Sequence, residues 1–79
     1  MDWHDIPSLA ALRAFEAAAR HESLSAAARE LNVTHAAVAQ HVRALEQEFA
    51  DSLLVRQGRG VTATPAGRAT RGEGGWGPG

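Results

Sequence analysis

The strongest constraint on the fold is the stretch over residues 23–49, SLSAAARELNVTHAAVAQHVRALEQEF, in which two helical patterns meet at a short corner. Ser23 and Ser25 are both suitable N-caps for the first of these helices, which is rich in alanine. At the corner, Asn32 tolerates the left-handed conformation that a sharp turn requires, and Thr34 can cap the next helix. The stretch therefore predicts a helix, a tight turn and a second helix at a fixed angle.

The second helix separates large apolar residues from polar and small ones. Its apolar seam, with members spaced by four, three and four positions, consists of Val38, Val42, Leu45 and Phe49. At about 100° per residue, the opposite side carries an outer ridge of Ala36, Gln40, Arg43 and Gln47, with Ala39 beside it. An inward seam and an outward ridge on the helix after a tight turn are typical of a helix-turn-helix unit that reads DNA.

A preceding helix is predicted over residues 8–20, where Leu12 and Phe15 belong to an apolar pattern of helical period. We expect this helix to support the core by packing against the apolar seam, without a direct role in chemistry. Val33 of the turn is expected to point inward between the two later helices. The pair needs such a brace, because short helices are marginal in water on their own.

Further along the chain, runs of β-forming residues at 53–56 and 61–64 flank a turn that contains two glycines. This pattern predicts a β-hairpin. A hairpin that directly follows the polar helix would form a wing, with Arg56 at its base and Arg59 at its tip, where both can reach phosphates or an adjacent minor groove.

The predicted fold is therefore mostly α, a three-helix winged helix-turn-helix domain over residues 1–67 with a short β-hairpin wing. Thr64 and Pro65 could cap and begin a further helix, but we expect that helix not to develop. The chain ends in GEGGWGPG, and sequence this rich in glycine has no means of ordering itself. We expect residues 68–79 to form a disordered glycine-rich tail.

Composition limits the chain to one small domain. The formal net charge is −1 over 79 residues, which predicts modest non-specific affinity for nucleic acid. Four of the eight arginines follow residue 51 together with a single acid, so they can still form a local basic strip. There is no cysteine, and no apolar run reaches the length of a membrane span. We expect a soluble cytoplasmic protein without membrane contact.

The residues form no constellation that supports catalysis. The histidines lack the spacing of metal ligands, and no serine lies in a nucleophile elbow. No glycine-rich loop follows a strand and opens a helix, as a phosphate cradle would. We expect no enzymatic activity, no cofactor and no metal site.

Two segments carry a recognisable pattern: LRAFEAAARHESLSAAARELNVTHAAVAQHVRALEQEF and, after it, LLVRQGRGVTATPAG. Together they resemble the N-terminal winged helix-turn-helix domain of LysR-type transcriptional regulators over residues 7–67. The specific matches are the first-helix phenylalanine, the Ala-Ala pair, the LNVT turn, the R-A-L-E end of the later helix, and the R-x-G-R-G-V wing. Within the family, NVTHAAVAQHVRALEQ is most similar to activators of β-lactamase and glycine-cleavage genes.

The resemblance implies binding to double-stranded DNA. The residues that it implies at the major groove or its phosphate walls are Thr34, His35, Ala36, Ala39, Gln40 and Arg43; those that it implies in the wing are Arg56 and Arg59. The chain departs from the family by Ala39 in place of the usual Ser, which removes one hydroxyl contact. Leu54 stands where Phe is usual and Ala63 where Leu is usual, so packing under the wing should be thinner.

Two side chains of the outer ridge have the chemistry to contact DNA. The amide of Gln40 can donate to and accept from adenine in a bidentate pattern, although an exposed surface glutamine would look the same. Arg43 would more readily meet a phosphate than a base, and its alternative is a solvated partnership with Glu46 or Gln47.

The smaller residues beside them are ambiguous. His35 can donate to a phosphate or be a polar first-turn residue. Ala36 and Ala39 can offer methyl groups to thymine, but helix filler explains them better. His41 projects about 60° from the centre of the seam and is expected at the edge of the core.

The resemblance also implies a long linker helix for dimerisation and an effector-binding domain, and neither follows residue 67 in this sequence. We therefore expect a truncated or frameshifted regulator without a small-molecule effector site, whose dimerisation is in doubt. The alternative is an inactive fragment or a module that binds a partner protein. Binding to duplex DNA that weakens with rising salt distinguishes the two.

Overall fold

The computed structural model describes residues 9–70, which form three helices, a two-stranded hairpin and a short fourth helix. The elements are α1 (Leu9–His21), α2 (Leu24–Leu31), α3 (His35–Phe49), β1 (Leu54–Gln57), β2 (Gly60–Ala63) and α4 (Pro65–Thr70). The mostly α, winged helix-turn-helix prediction is thereby confirmed. Within this part of the chain, none of the helices has the length and hydropathy of a membrane span.

The two N-caps and the turn of the helix-turn-helix form as the local sequence predicts. Ser23, one of the two candidate serines, caps α2 by accepting a hydrogen bond from the N–H of Ala26 at 3.1 Å. Thr34 Oγ1 caps α3 by accepting from the N–H of Ala37 at 3.0 Å. Between them, Asn32 takes the left-handed conformation, with φ of 58° and ψ of 47°. Local side-chain chemistry therefore sets the angle between α2 and α3.

The core is built mainly of alanines, which let the three helices approach closely. Its buried members are Ala11, Ala14, Phe15, Ala17, Ala18, Ala19, Ala27, Ala28, Val38, Val42, Leu45 and Leu53. Among residues 9–70, no polar or charged side chain is buried with them. Phe15, Val38, Leu45 and Leu53 are the largest fully buried residues, and each contributes about 1.5–3 kcal/mol by leaving water.

Two apolar residues predicted to face inward do not. Phe49 and Val33 are each 44% exposed. Leu53, just beyond the turn after α3, is fully buried and belongs to the core cluster in place of Phe49. At the other corner, the N–H of Val33 bonds back to the carbonyl of Ala28 at 3.0 Å, and its side chain is left at the surface.

The wing is an antiparallel hairpin of two four-residue strands, whose register runs from Leu54 opposite Ala63 to Gln57 opposite Gly60. Only two residues connect the strands. The first of them, Gly58, has φ of 61°, which fits the first central position of a type II′ turn.

A fourth helix forms after the wing, contrary to the prediction that it would not develop. Thr64 Oγ1 caps it by accepting from the N–H of Gly67 at 3.0 Å, while its hydroxyl donates to the carbonyl of Ser52 at 2.6 Å. These bonds tie the short helix to the segment before the wing. The predicted disorder is therefore wrong for residues 68–70, and residues 71–79 lie outside the described part of the chain.

An exposed ionic cluster joins α1 to α2. Arg20 bonds Glu16 at 2.9 Å and Glu30 at 2.6 Å, and His21 lies 2.6 Å from Glu30. Hydrogen bonds from Arg20 and then His21 lower the pKa of Glu30 to about 2, and the carboxylates of Glu16 and Glu30 raise the pKa of Arg20. All four side chains remain solvated, so the cluster adds little to stability.

Candidate nucleic-acid interface

The outer ridge of α3 is open to solvent, and the opposite side of the helix is closed. Val38, Val42 and Leu45 are buried, whereas the exposed residues of α3 include Ala36, Gln40, Arg43 and Gln47. Ala39 is half-buried beside the ridge. The predicted orientation of α3 is thus confirmed, although the contacts of the individual side chains with DNA remain predictions.

The start of α3 adds polar groups to the same face. Thr34 and His35 are both exposed. Because Thr34 Oγ1 accepts the capping bond, its O–H can still donate outward. The first-turn amides and the positive end of the helix dipole favour an anion here.

A cleft between α3 and the wing brings two cations together. Its walls include Ala39, Arg43 and Glu46 from α3, and Val55 and Arg56 from β1. All of the ion pairs found among residues 9–70 involve Arg20 or His21, so the arginines of α3 and the wing are available to another partner.

Glu46 is tied to the base of the wing rather than to Arg43. Its Oε2 accepts the backbone N–H groups of Leu53 at 2.8 Å and Leu54 at 3.3 Å. The sequence pattern indicates Glu46 only as a surface partner for Arg43 and gives no sign of this bond.

The two wing arginines lie near the turn. Arg59 occupies the two-residue connection, as predicted for the tip. Arg56 is the third residue of the four in β1 and pairs with Val61, so it is closer to the tip than to the predicted base. Both are exposed.

Comparison with known proteins identifies the family. Residues 9–68 match the sequence model of a bacterial regulatory helix-turn-helix protein, lysR family. The chain belongs to the LysR family. It is a LysR-type helix-turn-helix DNA-binding domain.

Several relatives of the chain are longer regulators. The AhcY transcriptional activator HvrB of Rhodobacter capsulatus is 54% identical over 67 residues, which is 85% of this chain and 23% of HvrB. The regulator TrpI of Pseudomonas aeruginosa is 57% identical over 63 residues, 80% of this chain and 21% of TrpI. The activator AmpR of Citrobacter freundii is 56% identical over 61 residues, 77% of this chain and 21% of AmpR. The LysR-type domain thus spans about a fifth of the length of these relatives.

Solved structures include LysR-type domains bound to DNA. The CbnR DNA-binding domain in complex with DNA is 34% identical with a TM-score of 0.75, over 78% of this chain and 71% of that one. The BenM DNA-binding domain with the catB site 1 DNA is 32% identical with a TM-score of 0.74, over 80% and 70% of the two chains.

A second anchor of the wing was also missed from sequence. The N–H of Val61 donates to the carbonyl of Glu22 at 3.1 Å, which ties β2 to the corner between α1 and α2. A Cβ on Gly60 would lie 2.2 Å from that carbonyl oxygen. The sequence did carry one signal of this anchor, the second glycine of QGRG. The two-residue turn requires positive φ only at Gly58, so the turn does not explain why Gly60 is also a glycine.

Gly60→Ala in this LysR-type domain should therefore displace the wing and lower the melting temperature, because backbone rather than a movable side chain opposes the new methyl group. Overpacking of this kind costs about 1–3 kcal/mol. Thermal unfolding followed by circular dichroism measures the change. Arg59→Ala is the control, because it changes the neighbouring turn residue, which is exposed and does not have a positive φ, without adding an atom. Equal melting of the Gly60→Ala and wild-type chains would contradict the close approach.

Proposed function

We propose that the domain binds double-stranded DNA with the outer ridge of α3 in the major groove and the wing against the neighbouring backbone or minor groove. The observation that carries the proposal is the exposed ridge backed by a buried seam, with unpaired arginines on both walls of the adjoining cleft. Binding to duplex DNA is supported by the similarity of the chain to the DNA-binding domains of CbnR and BenM, whose structures are complexes with DNA. The proposed site of action is the cytoplasm, where duplex DNA is accessible.

Each ridge residue has a proposed role. Gln40 reads a base through its amide, and Arg43 contacts a phosphate. Thr34 and His35 contact the phosphates beside the start of α3, and the methyl groups of Ala36 and Ala39 lie against the groove. The wing arginines, Arg56 and Arg59, contact backbone or minor groove.

We further propose that the domain serves transcription regulation, as the names of HvrB and AmpR state for those proteins. The described residues provide one DNA-reading helix per chain. Pairing of two such helices on adjacent half-sites would raise affinity by avidity.

Salt dependence tests the proposal. The logarithm of the association constant with duplex DNA should fall linearly as the logarithm of salt concentration rises, because bound phosphates release counterions. A module that binds only protein would show no saturable DNA binding at any salt concentration.

Arg43→Ala should weaken binding to different duplexes by a similar factor and reduce the salt slope by about one, because one phosphate contact is lost. Fluorescence anisotropy with labelled duplexes over a range of salt concentrations measures both quantities. Arg13→Ala is the matched control, since Arg13 lines the cleft with Leu31 and His41 on the other side of α3. A change of preference at a single base pair would instead assign Arg43 to base reading.

Gln40→Ala should relax preference at one base pair while leaving the salt slope unchanged, because an uncharged base contact is removed. A bidentate amide contact discriminates by about 1–3 kcal/mol. Selection of duplexes from a randomised pool by each variant gives the preference at every position. An unchanged preferred sequence would show that Gln40 does not read a base.

A further inference from the structure

We infer that Glu46 is a positioning residue that holds the wing at the angle from which its arginines reach the DNA contacted by α3. The inference rests on the proposed function. Its starting point is one carboxylate oxygen, Glu46 Oε2, that accepts both the N–H of Leu53 and the N–H of Leu54. Glu46 belongs to the helix that carries the outer ridge, and Leu54 begins the first strand of the wing.

The Glu46 carboxylate is the acceptor for these two amides at the base of the wing. Leu53 precedes β1 and is fully buried, so water cannot replace the carboxylate at its N–H without local opening. Its carbonyl is also engaged, because it accepts from the N–H of Thr64 at 3.0 Å. The residue at the base of the wing is thus fastened to α3 on one side and to the start of α4 on the other.

The orientation of the whole hairpin depends on this base. A strand of four residues paired to one partner strand has little rigidity of its own. Near the tip, the bond from Val61 to the Glu22 carbonyl fixes the hairpin to the α1–α2 corner. Glu46 supplies the corresponding bond to α3, and so sets the position of Arg56 and Arg59 relative to the ridge.

Charge alone predicts the opposite effect of substitution. Glu46 lines the same cleft as Arg43 and Arg56, where a carboxylate would repel an approaching phosphate. Removal of a merely repulsive charge would therefore tighten DNA binding. Loss of an anchor would weaken binding, because only a fraction of the molecules would hold the wing in the binding position.

Substitutions at Glu46 separate acceptor from charge. Glu46→Gln and Glu46→Met are both neutral and similar in length, but only glutamine can accept the two backbone bonds. Glu46→Asp keeps the charge and is one methylene too short to reach. Affinity is measured for the full chain with a duplex that the wild type selects from a randomised pool, and circular dichroism verifies folding.

The expected order is that Glu46→Gln binds within a few-fold of the wild type, whereas Glu46→Met and Glu46→Asp bind at least about tenfold more weakly. Arg59→Ala should weaken the Gln variant as it weakens the wild type, and should have a smaller effect in the Met and Asp backgrounds. If the Met variant does not fold, the Asp variant gives the same comparison.

Equal affinity of the Gln, Met and Asp variants, or an Arg59→Ala effect that is the same in every background, would overturn the inference while leaving the proposed function intact. Absence of wild-type binding to any duplex in the pool would overturn the proposed function itself. The two failures are therefore distinguishable.

Discussion

Val42→Asp should leave the chain unfolded at room temperature. Val42 is 6% exposed and lies in a core cluster that, over residues 9–70, contains no polar side chain to pair with a carboxylate. A domain of this size rarely has more than about 3–5 kcal/mol of stability, and an unpaired buried charge costs at least that much. Loss of the helical circular dichroism signal and of a cooperative melt is the expected result.

The matched control places the same charge on a valine at the surface. Val33 is 44% exposed and precedes the cap of α3, where a carboxylate is favoured by the helix dipole. Val33→Asp should melt close to the wild-type temperature. Wild-type melting of Val42→Asp would show that the seam of α3 is not buried.

Ala36→Glu should abolish DNA binding without loss of the fold. Ala36 is exposed in the first turn of α3, where an acid is compatible with the helix and stabilises its N-terminus. In the proposed complex the same carboxylate would enter the groove between two rows of phosphates. Like-charge contact of this kind costs several kcal/mol, so affinity should fall by at least about a hundredfold. Fluorescence anisotropy measures the loss.

Ala10→Glu makes the same change of charge in a first turn on another face. Ala10 is exposed on α1 and lines the cleft that contains His41, on the side of α3 away from the wing. Ala10→Glu should reduce the affinity for DNA only slightly, through the change in net charge. Equal losses for the two variants would show that Ala36 has no special proximity to DNA.

The helix-turn-helix itself was predictable because its corners depend on neighbouring residues. The hydroxyls of Ser23 and Thr34 act within their own first turns, and Asn32 adopts the left-handed conformation that few other residues tolerate. The seam of α3 follows from helical period, which places Val38, Val42 and Leu45 on one side whatever surrounds them.

The errors arose where partners distant in sequence decide the outcome. Helical period places Phe49 on the seam, but Leu53 belongs to the buried core there and leaves Phe49 half-exposed. The fourth helix depends on the bonds of Thr64 to Ser52 and Leu53 across the wing, which no local propensity reveals.

The same limit applies to the candidate site. The outer ridge was predictable as a helical face, including the exposure of Gln40 and Arg43. The anchors of the wing were not, because Glu46 looks like any surface acid and Gly60 like any turn glycine until the hairpin is placed against α1 and α3. Only the folded structure shows which backbone atoms Glu46 and Gly60 approach.

The predicted subgroup of β-lactamase and glycine-cleavage activators stays a prediction. AmpR, TrpI and HvrB share more than half of the aligned residues with this chain, at 56%, 57% and 54% identity.

The most direct test of the central claim is amide chemical-shift mapping of the isotopically labelled chain during titration with its selected duplex. If α3 enters the groove, the largest changes should fall on Ala36, Gln40 and Arg43 and on the wing at Arg56 and Arg59. Changes confined to the opposite cleft, at residues such as Leu31 and His41, with the outer ridge unaffected, would contradict the proposed mode of DNA binding.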